Sequence, residues 1–265
     1  MRTGTMFGTV AAQEIRRTWL NQWSRLALIF VFAYSVVSLG NLYTLSQRSG
    51  DLVHTKLNFI DFLDEIRWAA LILGAVMAGP ALLEDKRRGA LDLYYSRAVT
   101  PREYLVGKVL AVFGVTTFAL FLPAFLYWAT SWAFFQTHPE GWELAIFGAL
   151  AYSIMWGLLV SGLGLGLSSI ARSSVAATII LLGAFVVLEV VVSKLLSGIT
   201  ADPTFQILSP FSAVTQQTTW LFDAEQPFQF EVWWGFIEWL ALVLLGWGLV
   251  WWRHPRVRGE DVASD

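Results

Sequence analysis

The chain of 265 residues contains no cysteine, so disulfides, thiolate metal sites and cysteine nucleophiles are excluded. Charge is scarce too. Only 14% of residues are charged and 56% are hydrophobic, whereas soluble domains carry about 25% charged residues. So few charges cannot cover a water-facing surface of this size. The net charge of −2 points to no partner class, and no nucleic-acid partner is expected. The three histidines, His54, His138 and His254, are scattered, so no metal site is expected. No Ser/His/Asp arrangement can be assembled, and no catalytic residue is expected. A phosphate loop is missing: Gly107-Lys108 lacks both the upstream glycine and the following Ser/Thr. GLGLGLSS at 162–169 superficially resembles a nucleotide fingerprint, but it sits in an apolar run with no preceding strand. Close helix packing through small residues is the better reading. No cleavable signal peptide is expected, because Glu14, Arg16 and Arg17 precede the first apolar run and no small-residue cleavage site follows it.

What the chain does have is long apolar runs. A bilayer core about 30 Å thick needs roughly 20 apolar residues of helix. Six stretches meet or approach this: Leu26–Leu45, Trp68–Leu83, Leu105–Phe135, Leu144–Ile170, Val175–Val192 and Trp233–Trp252. The second is short but extends outward through FIDFLDEIR. The third contains Pro123, which predicts a kink or a break. The link Ala171–Ser174 is so short that the fourth and fifth runs must form an antiparallel hairpin. The fold class is therefore all-α, a single polytopic membrane domain of six spans over 1–265.

Basic residues set the orientation. With the N-terminus inside, 14 of the 18 Lys and Arg fall on the inner side, and only Arg48, Lys56, Arg67 and Lys194 fall outside. Both termini are expected to be cytoplasmic. Trp233–Trp234 and Trp251–Trp252 bracket the last run like two interfacial belts. Trp132 and Trp142 are expected to flank an outer turn in the same way, while Trp156 and Trp247 are candidate core residues.

Three segments are not simple spans. Over 7–25, Ile15, Trp19, Trp23 and Leu26 recur at helical spacing, with Glu14, Arg17, Asn21 and Gln22 elsewhere on the wheel. This is either a helix lying in the headgroup plane or a stub that continues the first span. The link LLEDKRRGALDLYYSRAVTPREYLVGKVL is too patterned for a plain turn. Gly89 breaks or bends a helix, and Leu91, Tyr94 and Tyr95 are candidate contact residues on a short amphipathic piece. Thr100, Pro101 and Glu103 then form a helix start with a capping box. The link is either a short helix suited to receive force from a soluble partner or a basic loop that only enforces topology. The third segment, 193–232, is read as one or two short helices on or in the outer leaflet, because long loops without structure are uncommon.

Two acidic residues lie inside spans, where a charge is costly and marks function by default. Glu189 and Glu238 are candidates for a polar substrate path. The alternative is structural pairing, for example Glu189 with Lys194.

The link has the form ED-(x)3-G-(x)6-SR-(x)2-T-P-R-E-Y-(x)2-G-K, and the fourth run ends LSSIARSSVAA. With an N-terminal amphipathic helix and six spans, the whole chain resembles the ABC type-2 permeases. It is similar in particular to single-domain bacterial members, among them the permease of nitrous-oxide-reductase maturation and permeases of multidrug and antibiotic export. The resemblance implies a permease subunit without catalytic activity, embedded in the lipid bilayer of a bacterial or archaeal cytoplasmic membrane. It implies a pair of permease copies, a separate ABC ATPase subunit holding ATP and Mg, and no cofactor in this chain. It also implies a cytoplasmic coupling helix in the first link, 84–104. By position Glu84, Asp85, Arg88, Gly89, Leu91, Ser96, Arg97, Pro101, Tyr104, Gly107 and Lys108 match the motif. The ATPase contact is expected around Gly89–Arg97, which includes Tyr94. The family's short outer helices match Ile207–Phe222.

Two other functions fit the sequence less well. A secondary transporter often shows internal repeats, and none is evident between Leu26–Phe135 and Leu144–Trp252. An ATP-linked force-transmitting or anchoring subunit that moves no cargo has the same sequence signature as an exporter.

Overall fold

The structure is a computed structural model. It describes residues 6–48, 53–87, 99–134, 141–200, 203–222 and 231–253. These residues form helices and no strand. The helices are α1 (Met6–Leu20), α2 (Gln22–Arg48), α3 (Val53–Arg87), α4 (Pro101–Phe134), α5 (Ala145–Ile170), α6 (Ser174–Val186), α7 (Pro210–Leu221) and α8 (Val232–Arg253). A π-helix, Val187–Leu196, and a final α turn, Ser197–Thr200, prolong α6. Short 3-10 turns precede α5 and α7. Six helices are long and apolar enough to cross a membrane. The protein is an all-α polytopic membrane protein.

The bundle has a centre and a rim. About 67% of the apolar window of α3 is buried, against 17% for α8. α3 packs on α2, α4, α5 and α6, while α5 also holds α4 and α8. The glycines of α5 make this packing possible. A Cβ on Gly166 would sit 2.6 Å from the Gly246 carbonyl oxygen of α8, and one on Gly164 would strike Ala78 of α3. The small-residue reading of the glycine run is realised: it brings backbones together.

Proline does not break the spans. α4 runs through Pro123, and α3 runs through Pro80. Around Pro80 the backbone is supported from outside the helix. The Ser168 hydroxyl donates to the Gly79 carbonyl at 2.8 Å and accepts the Leu82 N–H at 3.3 Å, and Thr178 donates to the Ala75 carbonyl at 3.1 Å. Neighbouring Ser and Thr side chains thus brace the backbone on both sides of Pro80.

Local starts and stops follow the sequence. Ser173 caps α6, its hydroxyl accepting from the Ala176 N–H at 3.0 Å, so the 171–173 turn closes the expected hairpin. α1 is a helix of its own, not a stub. It ends at Leu20 rather than Arg25, because Asn21 accepts from the Trp23 N–H at 3.0 Å and starts α2. Trp19 and Leu20 are exposed, whereas Val10, Glu14 and Thr18 face the bundle.

One belt tryptophan is misassigned by the sequence reading. Trp142 is 0% exposed; its indole N–H donates to Ser131 at 2.9 Å and its carbonyl accepts from the Trp128 indole. A hydrogen-bond partner within reach makes a buried indole affordable, so Trp142 is core. Trp132, Trp233, Trp234, Trp251 and Trp252 are exposed as expected, and Trp156 is buried as expected.

Candidate functional site

Arg87 at the end of α3 donates to the Arg172 carbonyl in the α5–α6 turn at 2.6 Å. That bond places the α3 terminus and this turn at one end of the bundle, together with α1 and the start of α4. This is the basic end, and it holds a knot of charge.

The knot is built on α4. Tyr104, Gly107 and Lys108 recur at i, i+3 and i+4, so they share one helix face. α1 lies against that face. A Cβ on Gly107 would come within 2.7 Å of Val10 Cβ and 2.8 Å of the Phe7 carbonyl oxygen, so only glycine lets α1 approach this closely. Glu14, one turn beyond Val10, then reaches Lys108. The Lys108 ammonium is 2.5 Å from Glu14 Oε2 and 2.7 Å from Asp85 Oδ2, with its side chain 1% exposed. The Tyr104 hydroxyl donates to Asp85 Oδ2 at 2.9 Å. Arg17 lies 3.4 Å from Asp85 and also pairs with Glu84. Three carboxylates and two cations from α1, α3 and α4 therefore share one site, with Lys108, Glu14 and Asp85 buried and Arg17 and Glu84 partly exposed.

The link enters and leaves beside this knot. On its far side the capping box is formed: the Glu103 N–H donates to Thr100 Oγ1 at 3.2 Å, and the Thr100 N–H donates to Glu103 Oε2 at 2.9 Å. Pro101 is the first residue of α4. The structure thus brings together Glu84, Asp85, Tyr104, Gly107 and Lys108, with Thr100, Pro101 and Glu103 at the adjoining helix start. Arg88, Gly89, Leu91, Tyr94, Ser96 and Arg97 lie outside the described residues. Asp85 and Lys108 are buried and point at each other, so any effect they have on a partner passes through the knot. The sequence reading missed Glu14 and Arg17, which it placed away from the apolar face of α1. The available signal was Lys108 itself: a lysine in an apolar helix needs an acid, and Glu14 is the acid on the adjoining amphipathic helix.

The profile of the ABC-2 family transporter proteins matches residues 9–254. That span takes in most of α1, the knot and all six candidate spans. The chain belongs to the ABC-2 transporter family. No curated protein matches it. As an ABC-2 family member it is the membrane permease subunit of an ABC transporter, and membership implies an ABC ATPase partner.

This ABC-2 permease carries a second polar region at the opposite end. α7, the helix before the last span, is buried from Pro210 to Thr219. Phe211 anchors it, with ring centroids 4.4 Å from Trp68, 5.1 Å from Trp156 and 5.6 Å from Phe185. Arg67 of α3 donates to Asp64 at 2.6 Å and to the Thr215 hydroxyl at 2.7 Å. Ser209, the cap of α7, donates to Glu189 at 2.6 Å. Glu189 lies in the first turn of the π-helical segment, a wide-turn geometry that recurs at functional sites. Its hydroxyl partner is Ser209; the Lys194 side chain lies outside the described residues. Glu238 lies on α8, and no hydrogen bond or ion pair joins it to Glu189 among the described residues.

A groove also opens on the flank of the bundle. A cavity of about 300 Å³ is lined by Asn21, Trp23, Val76, Glu84 and Thr178, among others. A smaller one of about 170 Å³ continues from Trp23 and Val76 along Leu26, Phe30 and Ile72. The groove is largely apolar, with Glu84, Asn21 and Thr178 supplying polar groups near the knot.

Proposed function

We propose that this permease is an exporter, working as a pair of copies in a bacterial or archaeal cytoplasmic membrane with both termini inside, driven by a separate ATPase chain that holds ATP and Mg. In this reading the link 88–98 carries the coupling helix, with Arg88, Gly89, Leu91, Tyr94, Ser96 and Arg97 at the ATPase contact.

The observation that supports it is the knot. Both ends of the link, at Arg87 and Val99, emerge beside a site where Lys108, Asp85, Glu14 and Arg17 tie α1, α3 and α4 together. Removing one partner of a buried ion pair costs roughly 3–5 kcal/mol, so the three elements move as one body. A push on the link then shifts α3, the central helix of the bundle, instead of bending a loop. Glu84 and Asp85 act from within this body. The flank groove, polar at its inner end and apolar above, suits an amphipathic cargo taken from the inner leaflet. A subunit that transmits force without moving cargo would carry the same knot.

The test is charge reversal at Arg97 or Arg88 in the reconstituted transporter. ATP hydrolysis persists but loses its dependence on the permease, and transport falls at least tenfold, while folding by tryptophan fluorescence is unchanged. Normal transport in both variants would sink the coupling assignment.

A further inference from the structure

The flank groove runs along one face of α3 and ends at the basic end of the bundle. Its floor is Ala69, Ile72, Val76, Pro80 and Glu84, which recur at spacings of three and four residues. Its walls are α2, through Trp23 and Phe30, and α6, through Val175 and Thr178. The α6 wall is fixed to the floor helix. Thr178 donates to the Ala75 carbonyl at 3.1 Å, and a Cβ on Gly79 would collide with the same hydroxyl.

The dimensions suit one alkyl chain. From Ala69 to Glu84 the floor is about 22 Å long, and the hydrocarbon of one leaflet is about 15 Å deep. The two cavities of the groove, about 300 Å³ and about 170 Å³, meet at Trp23 and Val76. A helix about 10 Å across does not enter so narrow a trough. Trp23, Phe30 and Ile179 are exposed along its rims, so the trough opens to the lipid.

The inner mouth is basic. Arg87 lies three residues beyond Glu84 and so continues the floor face of α3. Its guanidinium donates to the Arg172 carbonyl at 2.6 Å. That bond sets Arg87 beside the turn leading into Ser174 and Val175, which line the groove. Arg87 and Arg172 are both exposed, and neither guanidinium meets a carboxylate among the described residues. The N–H groups of Ser174 and Val175 precede the first hydrogen bonds of α6, whose cap Ser173 serves Ala176 instead. Glu84 is the carboxylate in the lining, and Arg17 pairs with it. The mouth therefore carries surplus positive charge and uncommitted donors above an apolar trough.

We infer that the groove binds an anionic phospholipid, with one acyl chain in the trough and the phosphate accepting from Arg87 and Arg172. Basic pockets between membrane helices on the cytoplasmic side select anionic headgroups. A cationic amphiphile would meet the two guanidiniums as like charges, and a neutral one would leave them unanswered. The site takes the groove that the proposed function gives to cargo. Its binding needs neither transport nor the ATPase, so it stands or falls apart from that reading.

The test uses the full chain in phosphatidylcholine nanodiscs without ATP. A trace of phosphatidylglycerol with a diazirine midway along one acyl chain is photolysed, and mass spectrometry maps the adducts. The expected result is labelling at Phe30, Ile72 or Val76, at least fivefold above that from the same probe built on phosphatidylcholine. This comparison needs no variant. Arg87→Gln with Arg172→Gln lowers the labelling to the phosphatidylcholine level, whereas Arg87→Lys with Arg172→Lys retains most of it. Val76→Phe, which fills the junction of the two cavities, removes the labelling with both arginines in place. Equal labelling by the two probes overturns the inference, as does labelling that the double Gln variant leaves unchanged. A groove left unlabelled because a second copy covers it, shown by cross-linking of one copy to another through Phe30 or Ile179, also overturns it.

Discussion

The two ends of the bundle treat buried polarity in opposite ways. At the basic end each charge of the knot meets an opposite charge within the same site: Lys108 with Glu14 and Asp85, Arg17 with Glu84 and Asp85. At the far end α7 buries a polar helix that is only partly satisfied. Asp64, Arg67 and Thr215 close on one another, while Arg67 Nε, the Gln217 amide and one oxygen of Glu238 have no hydrogen-bond partner among the described residues. A satisfied network makes a rigid joint, because every departure leaves a charge stranded. An unsatisfied one is stable only if something else completes it. The contrast separates a charge-paired joint at the first end from an incompletely satisfied helix at the second.

The largest expected effect breaks the rigid end. Lys108→Met strands Glu14 and Asp85 and lowers stability by roughly 3–5 kcal/mol, read as a fall in Tm in detergent by tryptophan fluorescence. The swap Glu14→Lys with Lys108→Glu recovers part of that loss. A Lys108→Met variant as stable as wild type would mean that the knot does not bind α1 to α4. Next comes Gly246→Leu, which forces a side chain into the α5 backbone at Gly162; overpacking of this kind costs about 1–3 kcal/mol, by the same measurement. Thr100→Ala removes half of the capping box and costs about 1 kcal/mol. Here the readout is hydrogen exchange at the start of α4, which rises with little change in global Tm. The smallest stability effect is at the other end. Glu238→Gln keeps the shape of an acid that has no ion-pair partner among the described residues, so Tm stays within experimental error or rises. A large fall in Tm for Glu238→Gln would show a structural partner and erase the contrast.

Much of this architecture was legible in the chain. Six spans, the hairpin turn, the capping box and a separate amphipathic N-terminal helix all follow from periodicities and caps of a few residues. Hydrophobicity and capping act locally, so the sequence displays them directly. The errors have equally local causes. Trp142 was assigned to a belt because its position beside a turn matched one; only the tertiary neighbour Ser131 shows that its N–H is satisfied inside. Pro123 left a kink or a break open, and α4 continues as a helix through it. The π-helical stretch after Val186 has no sequence signature that a scan for apolar runs can detect.

The candidate site was half legible. The spacing Tyr104, Gly107, Lys108 marks one face of a helix without any structure, and Glu84–Asp85 stand next to it in the same motif. What faces them could not be read. Glu14 and Arg17 lie about 70–95 residues away in sequence, and their pairing depends on how α1 folds back across α4.

The sequence by itself determined that the chain is a membrane protein with six apolar candidate spans, and where capping motifs begin α4 and α6. Those properties come from the solvent preference of consecutive residues and from hydrogen bonds within a few positions. The tertiary structure alone decided which charges meet and which are left without a partner. Pairing energy depends on distance and on exclusion of water, and both are set by helices far apart in the chain.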